Sequence, residues 1–195
     1  MIGVLVSGTG TNLQALIDDG LPISGVISSN PDAPALERAA NAGIPHETFA
    51  LHDHADRDLR DAAMADWLEE RHVELVVLAG FMWLLRPVFL ERFPRRIINT
   101  HPALLPAFPG ATAVADALEY GARWTGVTVH FVDEGLDSGE IILQEPVPIA
   151  DDDTVESLRE KIQAVEHVLL PEACRLALGG KLQLTEGSRR VRIVQ

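Results

Sequence analysis

Between Arg95 and Gly110 the chain reads RRIINTHPALLPAFPG, and two of its residue types are suited to acid-base chemistry on a small molecule. Ile97 and Ile98 read as the end of a buried strand, and side-chain alternation puts Asn99 and His101 on one face of it, two residues apart. An amide and an imidazole therefore leave the sheet together. Pro102 disfavours helical geometry at His101, which keeps the ring on an extended segment at the strand's carboxyl end, where open α/β sheets bind ligands.

A second candidate lies near the amino terminus, where the apolar run IGVLVS is followed by Gly8-Thr9-Gly10-Thr11-Asn12 and then by Leu13, Ala15, Leu16 and Ile17 at helical spacing. Glycines let the backbone approach a ligand, and the N–H groups and dipole of a helix start favour a phosphate. A ligand-free tight turn would also fit this stretch alone. The dinucleotide fingerprint fails because Leu13 stands where its third glycine belongs, and no GK[ST] follows, so a monophosphate fits better than NAD or ATP. Asp133 to Glu140 resembles a calcium loop at first sight, but Gly135 and Ser138 break the EF-hand pattern. His46, His52 and His54 cluster without further ligand spacing, and no metal is expected. His130 alternates with Val129 and Phe131 and reads as a structural histidine, while Cys174 beside Leu176 reads as an inert packed thiol.

These residues need a scaffold, and the pattern around them alternates strand and helix. Strands are expected at 2–7, 23–29, 44–50, 74–80, 125–132 and 141–149, with helices from Leu13, over 34–42, 57–71 and 111–121. ELVVLAG, residues 74–80, is apolar on both faces as a central parallel strand should be. The apolar loop FMWLL behind it could floor a flat aromatic pocket or simply pack into the core. In 57–71, Leu59, Ala62, Ala63 and Leu68 mark the expected apolar face, with the charges of 53–70 as the solvated one. Asp153 and Glu156 resemble a capping box opening a long helix to about Leu178, which Pro171 should kink; a small hairpin over 181–195 follows. The expected fold is a single α/β domain over 1–195, an open, twisted, mostly parallel sheet with helices on both faces. It reads as two halves, 1–100 with the candidate phosphate loop and 101–195 with the Asp133–Glu140 loop, the long carboxyl-terminal helix and a short tail.

The composition narrows the partners. Sixteen basic against twenty-nine acidic side chains give a net charge of -13, which repels phosphate polymers and anionic membranes and argues against nucleic acid. No apolar run reaches membrane-spanning length and MIGVLVSG carries no basic leader, so a soluble cytoplasmic protein without membrane partners is expected. One cysteine rules out an internal disulfide.

Five blocks, GTGTNLQ at 8–14, VVLAGFM at 76–82, INTHPALLPAFPG at 98–110, GVTVHFVDEGLDSGEIILQ at 126–144 and QAVEH at 163–167, together resemble the phosphoribosylglycinamide formyltransferase family of purine synthesis. The resemblance implies transfer of a formyl group from 10-formyltetrahydrofolate to the amine of 5-phosphoribosylglycinamide, with Asn99, His101 and Asp137 as catalytic residues. The types suit that chemistry: an amide donor and an imidazolium can stabilise the tetrahedral oxyanion, and an imidazole can shuttle a proton while Asp137 orients it. The resemblance further implies the substrate phosphate on Gly10, Thr11 and Asn12, and Glu166 at the ribose and glycinamide end. The folate would meet Met82, Trp83, Leu84 and Leu85, then Asn99, then Asp133, Glu134, Gly135, Leu136 and Asp137, with Arg57 near its glutamate tail. Two positions depart from the family: Trp83 stands where many members have arginine, and Val114 where many have histidine.

Methionyl-tRNA formyltransferases share the core motifs but normally add a carboxyl-terminal RNA-binding domain, and formyltetrahydrofolate deformylases normally add an amino-terminal regulatory domain. The expected partners are therefore the glycinamide ribonucleotide and a reduced folate, in a monomer or homodimer. A formyltetrahydrofolate hydrolase, or a non-catalytic folate or nucleotide binder, is the alternative.

Overall fold

The structure is a computed structural model describing residues 1–185 and 188–194. The chain divides into two compact units, Met1–Ile98 and Asn99–Gln195. In the first, β1 (Ile2–Val6), β2 (Ile23–Ser28), β3 (His46–Thr48) and β4 (Leu75–Leu78) run parallel in the order β3-β2-β1-β4. Every residue of β1 and β4 is buried, which explains their unbroken apolar sequences. A fully buried Val, Leu or Ile contributes about 1.5–3 kcal/mol, so these central strands anchor the unit. The order reverses between β1 and β4, the kind of switch point beyond whose carboxyl ends open α/β sheets bind ligands.

Three helices of this unit follow the expected pattern: α1 (Thr11–Asp18), α2 (Pro34–Asn41) and α3 (Arg57–Glu69). A fourth, α4 (Pro87–Leu90), is one turn in a stretch to which the sequence reading assigned no element. The buried face of α3 overlaps the expected one at Leu68, with Ala62 and Ala63 half-buried, but is otherwise shifted. Arg60, Asp61, Met64, Ala65 and Leu68 face inward, while Leu59 is 56% exposed. Arg60 and Asp61 pair with each other there, so a face expected to be solvated carries two fully buried charges.

The second unit holds β5 (Ile97–His101) from Asn99 onward, β6 (Trp124–Phe131) antiparallel to β7 (Ile141–Pro148), and helices α5 (Ala113–Tyr120) and α6 (Val155–Leu178). Together the strands form a mostly parallel seven-stranded sheet, β3-β2-β1-β4-β5-β6-β7, flanked by helices, so the expected α/β class holds. Val114 is buried in the first turn of α5. Helix α6 continues through Pro171 to Leu178.

The cap of α6 differs from the expected Asp153 and Glu156 pair. Thr154 is the N-cap, exchanging side-chain and backbone bonds with Ser157. Asp153 instead accepts from Ala150 N and Ser157 Oγ and pairs with Lys161 at 2.7 Å, which holds its carboxyl down at about 2. Strands β8 (Leu182–Leu184) and β9 (Val191–Ile193) form the expected terminal pair, while Glu186 and Gly187 between them, and Gln195, lie outside the described residues. Among the described residues, no helix is long and apolar enough to cross a membrane.

Candidate active site

The carboxyl end of β5 carries Asn99, Thr100 and His101. Alternation turns Thr100 to the face opposite the other two, and there its hydroxyl donates to Glu166 Oε1 of α6 at 3.1 Å. His101 is buried on its own side, with Nε2 2.7 Å from the carbonyl oxygen of Phe108. A carbonyl only accepts, so Nε2 carries the ring hydrogen and Nδ1 is the nitrogen left for chemistry. Nδ1 lies 3.4 Å from Asp137 Oδ2.

Asp137 reaches that position because its loop is locked from within. Asp133 Oδ1 accepts from Gly135 N and Ser138 Oγ, and Phe131 N donates to Glu140 O, which closes the turn between β6 and β7. At Gly139 a side chain would start 1.7 Å from the Phe131 carbonyl, so only glycine lets the loop fold this close. Asp137 adopts a left-handed backbone, φ 49, and its Oδ2 accepts from Gly110 N at 2.8 Å. Phe108, whose carbonyl holds His101, is left-handed too, at φ 51. Non-glycine residues in this region are uncommon and gather where surrounding structure imposes them at functional sites.

His130 joins this cluster. His130, read as structural, is 2% exposed, with Nδ1 2.7 Å from the Phe131 carbonyl and Nε2 3.2 Å from Asn99 Nδ2. By the same rule its hydrogen sits on Nδ1, so Nε2 accepts from Asn99 and the orientation of the Asn99 amide follows. Burial pushes the His130 pKa below its usual value, with the Phe131 carbonyl and Asp137 opposing more weakly; the ring is neutral at pH 7. The strand register shifts between Val129 and His130 against β7, an irregularity that re-aims side chains beside functional sites. Strict alternation could not reveal it. His130 Nε2 is also 3.8 Å from Asp137 Oδ1, so one carboxylate borders both rings.

In the first unit, Gly10 is the N-cap of α1 with φ 72, and Thr11 and Asn12 open the helix. A side chain on Gly10 would meet Ala35 Cβ at 2.6 Å, so the loop lies tight on α2. Arg38 of α2 donates from Nε to Thr9 O at 2.9 Å and from Nη1 to Gln14 Oε1 at 3.1 Å. That cation, unnoticed in the sequence, adds positive charge to the helix start in an acidic protein.

The loop after β4 leaves Met82, Trp83 and Leu84 exposed and buries Leu85, so the FMWLL stretch is not core packing as a whole. Arg57 donates to the Leu84 carbonyl and stacks 5.6 Å from the Trp83 ring. In the second unit, Leu136 is 54% exposed beside Asp137, and Glu134 and Gly135 are exposed. His46 contacts Ile44 O, His52 contacts Asp53, and His54 stacks on Phe49. Among the described residues, no group of three or more His, Cys, Asp or Glu is placed to hold a metal ion.

An open α/β sheet with an amide, two imidazoles and a carboxylate gathered beyond a strand end defines an acid-base site on an α/β scaffold. Residues 1–174 match the formyl transferase family model, and the chain belongs to that family. It is 48% identical over 174 residues to phosphoribosylglycinamide formyltransferase of Mycobacterium tuberculosis, covering 87% of this chain and 81% of that protein. It is 46% identical over 193 residues to the trifunctional purine biosynthetic protein adenosine-3 of Chironomus tentans, over 95% of this chain. The chain spans 14% of the length of that relative and of its Drosophila melanogaster counterpart. The crystal structure of glycinamide ribonucleotide transformylase 1 from Symbiobacterium toebii superposes with a TM-score of 0.97 at 48% identity, covering 100% of this chain and 93% of that one.

Proposed function

We propose that this chain transfers the formyl group of 10-formyltetrahydrofolate to the primary amine of 5-phosphoribosylglycinamide, giving the N-formyl product and tetrahydrofolate for purine synthesis. The observation that carries the reading is the contact of His101 Nδ1 with Asp137, beside the Asn99 amide oriented by His130. Membership of the formyl transferase family supports it.

In this reading the amine nitrogen attacks the formyl carbon, the carbonyl becomes an oxyanion, and the Asn99 N–H not engaged by His130 stabilises it. The amine must lose a proton and N10 of the folate must gain one before the carbon–nitrogen bond breaks. His101 Nδ1 carries that proton with Asp137 facing it, while the Phe108 carbonyl keeps the ring from turning. Gly10, Thr11 and Asn12, with Arg38 behind them, take the substrate phosphate. Glu166 takes the ribose and glycinamide end. Met82 to Leu85 and Asp133 to Asp137 border the folate, with Arg57 near its glutamate tail. The enzyme works in the cytoplasm on small molecules, as a monomer or homodimer, and needs no metal.

The test is tetrahydrofolate release from 10-formyltetrahydrofolate with and without the glycinamide ribonucleotide. Release that requires the ribonucleotide, and that Asp137→Asn slows strongly, is expected; release independent of it would replace this reading with a hydrolase.

A further inference from the structure

The segment from Phe81 to Arg86 combines two features that ordinarily exclude each other. Its side chains Met82 and Leu84 are 66% and 55% exposed, yet its backbone is tied at three points. Met82 N donates to Ser7 Oγ at 3.0 Å, the Leu84 carbonyl accepts from Arg57, and Arg86 N donates to Asp61 Oδ2 at 2.8 Å. The Arg86 side chain is tied as well, to Asp58 at 2.6 Å. Exposed apolar side chains gain nothing from water, and a loop with no other task would turn them inward.

Beneath the segment lies the pair Arg60 and Asp61, both fully buried, with Arg60 Nε and Nη2 at 2.8 and 2.7 Å from Asp61 Oδ1. The Arg60 guanidinium stacks against Trp83 at 5.3 Å and lies 6.0 Å from the Phe81 ring, so Trp83 contacts two guanidinium groups, those of Arg57 and Arg60. Among the described residues, Arg60 Nη1 is buried without a hydrogen-bond partner. A buried ion pair with an unsatisfied donor is a poor way to stabilise a fold, since well-packed apolar residues commonly do as well or better. What this pair provides is directional: Asp61 gives one oxygen to Arg60 and the other to the loop backbone, and Arg60 supports the ring at the loop's apex.

We infer that Arg60 and Asp61 are positioning residues that hold the Phe81–Arg86 loop as a preformed apolar platform for the flat ring system of the reduced folate. The inference rests on the function proposed above and adds the part of the chain that shapes the folate side. Trp83 belongs to this device: its ring lies against the guanidinium groups of Arg57, which ties the Leu84 carbonyl, and of Arg60.

The decisive variant replaces the pair by apolar residues of similar volume, Arg60→Met with Asp61→Leu. Calorimetric titration with tetrahydrofolate needs no turnover, and it is expected to show about a tenfold weaker affinity while the thermal midpoint stays at or above that of the parent. The KM for 10-formyltetrahydrofolate should rise by a similar factor with kcat moving less, and the Arg86 amide should lose protection from hydrogen exchange. Asp61→Asn is the second variant should the double replacement not fold; it should weaken folate binding and Arg86 protection in the same direction. A parent that binds tetrahydrofolate, with a folded variant that binds it equally well, overturns the inference and leaves the proposed function standing. A parent that binds no reduced folate overturns both.

Discussion

Each unit of the chain buries ionisable groups, and it does so in opposite ways. In the first, Arg60 and Asp61 are locked at 2.7–2.8 Å, and both Asp61 oxygens are engaged by fixed donors. In the second, His101 and His130 stand 3.4 and 3.8 Å from Asp137, and the Gly110 N–H holds that carboxylate at short range. Short, saturated contacts fix a shape. Longer contacts with a nitrogen left open leave room for a proton to arrive and depart, and the backbone supplies the rigidity through the Phe108 carbonyl and the left-handed turns at Phe108 and Asp137.

Removing a charge from each cluster should therefore damage different things. Asp137→Asn is expected to lower kcat by about 10²–10⁴-fold, the usual range for a lost acid-base partner, with little change in the thermal midpoint. Equal loss of both would erase the distinction. Asp61→Ala strands a buried guanidinium, and a loss of about 3–5 kcal/mol in unfolding free energy by denaturant titration is expected. A neutral outcome would show that Arg60 finds other partners.

His130 lies between these extremes. His130→Gln keeps an acceptor near Asn99 but loses the ring's rigid placement, and about a tenfold fall in kcat is expected, since the effect on the oxyanion is indirect. The same variant tests the pH dependence. Burial lowers the folded pKa of His130 below the unfolded value of about 6.5, so the unfolded chain binds a proton there that the folded chain refuses. Its contribution to stability is present above about 6.5 and is lost as pH falls through the lower folded value. Urea midpoints measured down this range should fall less steeply in His130→Gln than in the parent. The smallest effect is expected just before α6, where Asp153→Asn should lower the thermal midpoint slightly, and only above the acid range in which Asp153 loses its charge at about 2.

The contrast also explains what could be read from the sequence. Strands β1 and β4 were legible because burial on both faces forces continuous apolar runs, and Asn99 and His101 because a period of two is a local property. What depends on a partner far along the chain was not legible from local pattern, and the contact of Asp137 with His101 was expected only through the family resemblance. Arg60 and Asp61 look like solvated helix charges until their mutual pairing and the Arg86 N–H are seen, and no local rule places Leu59 outside instead of inside. His130 looked structural because alternation alone makes it so, and the register shift that brings it to Asn99 depends on β7. At α6 the residues were close but the roles shifted by one, because a capping box with serine in place of glutamate lies outside the usual pattern.

The most direct test of the central claim follows the carbon itself. Carbon-13 NMR of a reaction with formyl-labelled 10-formyltetrahydrofolate and the glycinamide ribonucleotide should show the label moving to the ribonucleotide's amide in the parent, with the transfer strongly slowed in Asp137→Asn. Label emerging as free formate, or transfer at an undiminished rate in Asp137→Asn, would contradict the account.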